Sequence, residues 1–337
     1  AQYIKNAGTK GARAVKAVSA QMKLALTGTP VENRLSELWS IFDYLMPGFL
    51  YSYEHFKKTF EAPIMKKENE EAMADLQKMI RPFILRRLKK EVLSDLPDKI
   101  EKCIPIPLAG EQKKLYDAHV QRLKFMLESG SNEEFGSIRM QVLAELTRLR
   151  QLCCDPELIY QDYNEGAAKV ELCMELLNNA VNGGHKILLF SQFTSMLDIL
   201  ETRMDEEGIS SYSLTGSTPK KERMELMQKF NQDETSVFCI SLKAGGTGLH
   251  LPGADMVIHY DPWWNVAAEN QATDRAHRIG QKRVVTVYKL VAEHTIEEKV
   301  LERQQKKKEL ADQVLSGEEM GSVLFDREEL LKLFQDQ

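Results

Sequence analysis

Cysteine is scarce in this sequence, and no two cysteines have the spacing of a zinc site. The 337 residues include five cysteines, an odd number without a CxxC pair, and seven scattered histidines. Isolated thiols of this kind are typical of a reducing compartment. We therefore expect no metal ion held by protein ligands alone, and buried free thiols at Cys103, Cys153, Cys154, Cys173 and Cys239.

Long apolar runs are also absent. No segment approaches the roughly 20 apolar residues that a membrane-spanning helix needs, and no signal peptide begins the sequence. We therefore expect no membrane partner and a cytosolic setting. The composition, 43% hydrophobic and 28% charged, suits about two globular units with their own cores.

Positive charge is not in excess. The formal net charge is −5, which alone argues against a nucleic-acid partner. Contacts to phosphates need only a local basic stripe, however. Each candidate stripe, taken alone, is more typical of a solvated helix face. The candidates are 81–90, Lys220 with Lys221 and Arg223, Lys282 with Arg283, and 303–308.

The sequence has no GxxxxGK[ST], the lysine-bearing loop that cradles nucleotide phosphates. It has a different glycine loop, KAGGTG (243–248), directly after the short apolar run 237–241. Glycines there let backbone N–H groups approach a phosphate or a neighbouring lobe. The next predicted strand, 254–260, ends at Asp261-Pro262, where a doubly wound sheet places its ligand loops.

The second half of the sequence alternates between strands and helices. Such alternation predicts an α/β fold with a parallel sheet and helices on both faces. The predicted strands are 186–191, 211–214, 237–241, 254–260 and 284–290, and the predicted helices are 167–182, 193–207, 219–231 and a terminal helix. The first half predicts a short helix from Lys10, a strand at 22–30 and long amphipathic helices at 68–94, 111–129 and 133–154.

Gln271, Arg275 and Arg278 have the spacing i, i+4 and i+7 in a predicted helix, which places them on one face. Two guanidinium groups aimed the same way repel each other unless an anion lies between them, and a triphosphate suits them in charge and geometry. The alternative is a solvated helix face neutralised by Glu269 and Asp274.

The stretch 237–281, with QATDRAHRIGQ at its end, resembles motifs V and VI of superfamily-two helicases in the form found in SWI2/SNF2-type DNA translocases. LTGTPVENRLSELW (26–39) resembles motif III, and SQF (191–193) resembles motif IV. TGSTPKKER (215–223) resembles the motif that grips the nucleic-acid backbone. The family has a characteristic sequence at the end of its first helical protrusion, which residues 80–101, IRPFILRRLKKEVLSDLPDKIE, resemble.

This resemblance implies a role for each matching residue. Arg275 and Arg278 would act as arginine fingers on ATP, which the family binds with Mg²⁺. The residues facing the cofactor would be Gln271, Gly246 and Gly248. The residues contacting double-stranded DNA would be Ser217, Thr218, Arg223, Lys243 and Trp264. The residues coupling these two sites would be Thr27, Gly28 and Thr29.

The resemblance also implies a RecA-like second lobe with a remnant of the first lobe and helical protrusions. The implied domains are the first-lobe remnant (1–48), the first protrusion and interlobe linker (49–110), the second protrusion (111–165), the second lobe (166–291) and bracing helices (292–337).

We therefore expect the C-terminal portion of an ATP-dependent double-stranded DNA translocase that remodels protein–DNA complexes, with a DNA-bound protein as its target. Such a protein would be associated with the nucleoid in a bacterium and nuclear in a eukaryote. Because the family's lysine loop and magnesium-binding carboxylates are missing from these 337 residues, we expect the isolated chain not to hydrolyse ATP. The alternatives are a non-catalytic DNA- or protein-binding module and a strand-separating helicase.

Overall fold

The computed structural model describes residues 1–27, 35–67, 69–85, 87, 93, 95–128, 132–245, 249–302 and 304–305. The chain forms two compact units, one made mainly of Ala1–Leu88 and the other mainly of Lys89–Trp264 with Ala268–Leu301. The predicted site residues Gly28, Thr29, Gly246 and Gly248 lie outside the described residues.

The regular structure of the first unit, in the residues that are described, is helical. Its core is built from Leu38, Phe42, Phe56 and Leu76, all at most 2% exposed. The predicted helix 68–94 is shorter than expected, because Pro82 lacks the N–H that a continuing helix needs and the chain turns into a 3-10 helix there. The helices are α1 (Lys10–Lys16), α2 (Leu35–Leu45), α3 (Tyr53–Phe56), α4 (Ala62–Lys67) and α5 (Glu70–Ile80).

The strand predicted at 22–30 is wrong for its described part. Residues 22–27 form no regular structure, and Met22, Leu24 and Leu26 expose 75% or more of their surface. A strand needs a neighbour to complete its backbone hydrogen bonds, and every strand of the described chain lies in the second unit. Residues 22–27 therefore have the alternating pattern of a strand but no described strand to pair with.

The second unit contains one six-stranded parallel sheet in the order β1-β6-β5-β2-β4-β3. This confirms the predicted α/β fold class. The strands are β1 (Lys99–Ile106), β2 (Ile187–Ser191), β3 (Ser211–Leu214), β4 (Val237–Ser241), β5 (Met256–His259) and β6 (Val285–Ala292).

Both faces of the sheet are covered, so its central strands β2, β4 and β5 are buried along their whole length. Alternate residues of β2 face opposite cores: Ile187 and Leu189 face one, and Leu188 and Phe190 face the other. The helices of this half are α8 (Ala168–Asn182), α9 (Thr194–Glu206), α10 (Lys220–Gln232), α11 (Leu242–Gly245) and α12 (Val266–Thr273). Of the predicted terminal helix, residues 296–302 are helical and 306–337 lie outside the described residues.

The edge strand β1 was not predicted. Charged residues interrupt its sequence, KIEKCIPI, and Pro105 argues against a central strand. At the edge these features are tolerated, because β1 pairs with β6 alone. Its position also corrects one expectation for the cysteines: Cys103, on this edge, is exposed, whereas the other four thiols are buried as expected.

An antiparallel pair of helices, α6 (Gly110–Glu128) and α7 (Asn132–Cys154), packs through a leucine-rich seam. Within it His119 lies 2.5 Å from Glu145 and 2.8 Å from the hydroxyl of Tyr160. No described helix is long and apolar enough to cross a membrane. No cluster of acidic, histidine or cysteine side chains in the described part of the chain could hold a metal ion.

Candidate functional site

The carboxyl edge of the sheet gathers the segments that carry the sequence motifs. Since all six strands are parallel, the chain leaves β2 at Ser191, β3 at Leu214, β4 at Ser241 and β5 at His259 on the same edge. In the sheet, β4 and β5 lie on opposite sides of β2. The carboxyl end of β2 is therefore the point where the strand order reverses. Doubly wound sheets bind their ligands at this point.

The segment with the two candidate arginines is not the continuous helix that their spacing suggested. Helix α12 ends at Thr273, and Arg275 and Arg278 lie in the turns that follow. After Thr273 the backbone forms turn-type bonds, from Arg275 N to the Ala272 carbonyl and from Ala276 N to the Thr273 carbonyl, both at 3.1 Å, and the Arg275 carbonyl accepts from Leu251 N at 3.1 Å. The argument from one helix face is therefore wrong for this pair.

The two guanidinium groups nevertheless converge. The Nη1 atoms of Arg275 and Arg278 lie 3.4 and 3.3 Å from the carbonyl oxygen of Leu249. Burial lowers the pKa of Arg275, and the positive charge of Arg278 lowers it further. Two like charges this close favour an anion between them. The pair thus fits a phosphate group in charge and in donor geometry.

Gln281, which the sequence analysis did not select, holds this segment together. Its amide Nε2 lies 2.7 to 3.2 Å from the carbonyl oxygens of Pro252, Ala254 and Ala276. Its Oε1 accepts hydrogen bonds from the N–H groups of Lys282 and Arg283. One buried side chain therefore joins the turn beside Arg275 to the loop that follows Leu249. Its position at the end of QATDRAHRIGQ did not suggest this structural role.

Buried polar contacts hold α12 at Glu269 and at its last residue, Thr273. His259 Nε2 lies 2.9 Å from Thr273 Oγ1, and burial lowers the pKa of this histidine to about 4. Glu269, 1% exposed, accepts a hydrogen bond from Trp263 N at 3.2 Å and pairs with Lys289 at 2.7 Å. In the alternative of a solvated helix face Glu269 would neutralise the arginines, but its partner in the structure is Lys289.

The loop after β5 contains a buried carboxylate, Asp261. Its Oδ1 accepts hydrogen bonds from Ser191 Oγ at 2.5 Å and from Gln192 N at 3.2 Å. Arg150 Nη2 lies 3.7 Å from the other carboxylate oxygen and donates to the Pro262 carbonyl at 2.6 Å. Burial raises the pKa of Asp261 to about 6, while Arg150 lowers it.

Trp264, the predicted DNA contact in this loop, is half-buried. Its ring packs against the α6–α7 helices, and the Arg150 guanidinium carbon lies 5.6 Å from its centroid. The same guanidinium lies 5.8 Å from the ring of Phe193. Both separations are within the range of a cation–π contact.

The turn 215–218 is organised by Arg223. Its guanidinium donates to the carbonyl oxygens of Thr218, Thr215 and Gly216 at 2.8 to 3.1 Å. Thr218 Oγ1 accepts from Thr215 N, and Ser217 is exposed. Helix α10 begins at Lys220, and its N-cap residue, Pro219, provides no side-chain cap, so Ser217 and Thr218 do not cap it. Contacts of these residues with DNA stay predictions.

The remaining candidates are dispersed. Lys243 lies in α11, Gln271 is half-buried in α12, and Thr27 is half-buried in the first unit. Arg283 pairs with Asp255 at 2.9 Å at the amino edge of the sheet, opposite the motif loops. The Lys282-Arg283 stripe therefore does not join the other candidates.

Comparisons with known proteins identify the class. The family described as SNF2-related domain matches residues 1–158, and the family described as helicase conserved C-terminal domain matches residues 168–280. An uncharacterized ATP-dependent helicase of Mycoplasma pneumoniae is 39% identical over 99% of this chain and 32% of its own length. The TATA-binding protein-associated factor MOT1 of Saccharomyces cerevisiae is 35% identical over 98% of this chain and 21% of its own length.

Two solved structures agree. The Sulfolobus solfataricus SWI2/SNF2 ATPase core domain is 37% identical over 98% of this chain and 68% of that one, with a TM-score of 0.59. The same core in complex with double-stranded DNA is 38% identical over 94% of this chain and 67% of that one, with a TM-score of 0.54. The chain belongs to the SWI2/SNF2 family. It spans about a third of the length of the bacterial relatives that it matches.

Proposed function

We propose that this chain supplies the second ATPase lobe and the helical protrusions of an ATP-dependent double-stranded DNA translocase that remodels protein–DNA complexes. The observation that carries the proposal is the convergence of Arg275 and Arg278 on one point beside the glycine loop. The crystallised Sulfolobus core in complex with duplex DNA supports duplex as the track. The relation to MOT1, a TATA-binding protein-associated factor, favours a DNA-bound protein as the target.

When bound, ATP supplies the γ-phosphoryl group that is transferred to water. The two guanidinium groups would hold its oxygens and stabilise the negative charge that develops there, an effect worth on the order of 10³ to 10⁵ in rate for an arginine finger. Gln271, Gly246 and Gly248 would line the same pocket. Mg²⁺ would be held by carboxylates of the full-length protein outside these 337 residues. Among the described residues, no group of acidic, histidine or cysteine side chains could hold a metal ion.

Ser217, Thr218, Arg223, Lys243 and Trp264 would contact duplex DNA, and Thr27, Gly28 and Thr29 would couple the DNA contact to the nucleotide site. The domain boundaries 1–48, 49–110, 111–165, 166–291 and 292–337 belong to the same proposal. The isolated 337-residue chain would not hydrolyse ATP, because no GxxxxGK[ST] loop is present in it.

The test compares two activities of the full-length protein. A translocase moves along duplex DNA and displaces a bound third strand at an ATP-dependent rate, without separating the duplex. We expect third-strand displacement from a triplex and no unwinding of a forked duplex. Unwinding would favour a strand-separating helicase, and neither activity, with an ATPase rate indifferent to duplex, would favour a non-catalytic binding module.

A further inference from the structure

The helix α7 reaches the DPWW loop through one side chain. Arg150 is 5% exposed and extends from this helix to within 3.7 Å of the Asp261 carboxylate and 5.6 Å of the Trp264 ring centroid. Its edge donates to the Pro262 carbonyl, and its charged plane lies near the rings of Trp264 and Phe193. No motif of the family that the sequence analysis quoted includes this residue.

We propose that Arg150 is a positioning residue that sets the orientation of Trp264 and thereby the affinity of the protein for duplex DNA. The inference rests on the proposed contact between Trp264 and DNA. It adds a link from the helical protrusion to the DNA-contacting loop.

The geometry requires an arginine. A guanidinium group offers several donors in a fixed plane, so it can bond a carbonyl oxygen with its edge while its face lies against an indole. A lysine at this position keeps the charge and the stem but has no plane. Lysine would therefore retain much of the packing and lose the combined contact with Pro262 and Trp264.

Two polar atoms of the Arg150–Asp261 pair form no hydrogen bond with the described residues. Arg150 Nε and Asp261 Oδ2 are both buried, and neither has a hydrogen-bond partner among the described residues. The closest approach of the ion pair is 3.7 Å, longer than a hydrogen bond of about 2.7 to 3.2 Å. A movement of about 1 Å would complete the pair. Arg150 therefore contacts the loop at Pro262 and Asp261 as well as at the ring of Trp264.

The test is a double-mutant cycle in the full-length protein with Arg150→Lys, Trp264→Ala and the double variant. Arg148→Lys is the matched control, because Arg148 lies on the same helix with a side chain that is 45% exposed. For each variant, ATPase rates are measured against duplex concentration. These rates give the half-stimulating duplex concentration and the kcat at saturation separately.

We expect Arg150→Lys to raise the half-stimulating concentration about tenfold, the scale of a lost buried cation–π contact, while kcat falls by less than about threefold. In the Trp264→Ala background Arg150→Lys should add nothing, because its effect passes through that ring. Arg148→Lys should behave as the wild type. Additive effects, an unchanged half-stimulating concentration, or an equal loss in kcat and affinity with a lower unfolding temperature would overturn the proposal.

A second measurement separates this proposal from the proposed function. In a full-length background in which every tryptophan except Trp264 is replaced by phenylalanine, Trp39 and Trp263 among them, Arg150→Lys should shift the emission of Trp264 and increase its quenching by acrylamide. This readout needs no DNA. A wild type that duplex does not stimulate would refute the translocase proposal, whereas an unchanged Trp264 emission would refute the role of Arg150.

Discussion

Arg275 and Arg278 share an acceptor: both Nη1 atoms lie within 3.4 Å of the carbonyl oxygen of Leu249. These contacts are long for hydrogen bonds to a neutral oxygen. A charged phosphate oxygen forms shorter bonds to a guanidinium group, roughly twice as strong. The shared carbonyl therefore orients the two side chains and can be exchanged for a stronger acceptor.

Replacement of Gln281 by glutamate should destabilise the second unit. The carboxylate would face the carbonyl oxygens of Pro252, Ala254 and Ala276 without a proton to donate, in a site that is 7% exposed. We expect a loss on the order of 3 kcal/mol in the free energy of unfolding. Urea unfolding measures it, with the exposed Gln121→Glu as control. Equal unfolding midpoints for the two variants would show that the amide is dispensable.

His259 should make stability depend on pH. Its folded-state pKa is about 4, below the ordinary value of 6.5, because burial disfavours the charged ring. Above pH 6.5 the ring is neutral in both states and its contribution is fully present. As the pH falls from about 6.5 to about 4, the unfolded chain gains a proton that the folded chain does not, so stability is lost.

The expected loss from His259 is about 3 kcal/mol. Unfolding free energies of the wild type and of His259→Asn, measured from pH 7 to pH 4, isolate this contribution as a difference. The difference should diminish as the pH falls across this window. A difference that is constant with pH would contradict the assignment.

Removing one partner of the buried ion pair Lys169–Glu297 should lower the free energy of unfolding more than removing both. Both side chains are fully buried and lie 2.5 Å apart, and Glu297 also accepts from Ala292 N at 2.8 Å. Lys169→Met leaves an unpaired buried carboxylate and should cost about 3 to 5 kcal/mol. Adding Glu297→Gln removes that charge and keeps an acceptor for Ala292, so the double variant should be more stable than Lys169→Met. Urea unfolding of the wild type, the two single variants and the double variant measures these differences. A double variant as unstable as the sum of the two single variants would argue against this account.

Sequence reasoning succeeded where local pattern decides structure and failed where a distant partner does. The alternation of strands and helices predicted β2, β3 and β4 to within a residue. The edge strand β1 exists because β6 is available to pair with it, and 22–27 lacks such a neighbour. Arg275 and Arg278 converge on the Leu249 carbonyl, but not from one helix face as their spacing suggested, because α12 ends at Thr273 and both lie in the turns beyond it. Arg150 and Gln281 act through contacts far along the chain, which no spacing reveals.

The kcat for ATP hydrolysis by the full-length protein at saturating duplex DNA, measured for Arg275→Ala and Arg278→Ala, tests the central claim most directly. Arg203→Ala is the matched control, because Arg203 forms a surface ion pair with Glu171 on helices remote in sequence from the motif. We predict strong stimulation of the wild type by duplex, a fall in kcat on the order of 10³ for each motif variant, and a control rate near that of the wild type. A kcat that is indifferent to both arginines would mean that their convergence on Leu249 serves the fold and not the chemistry.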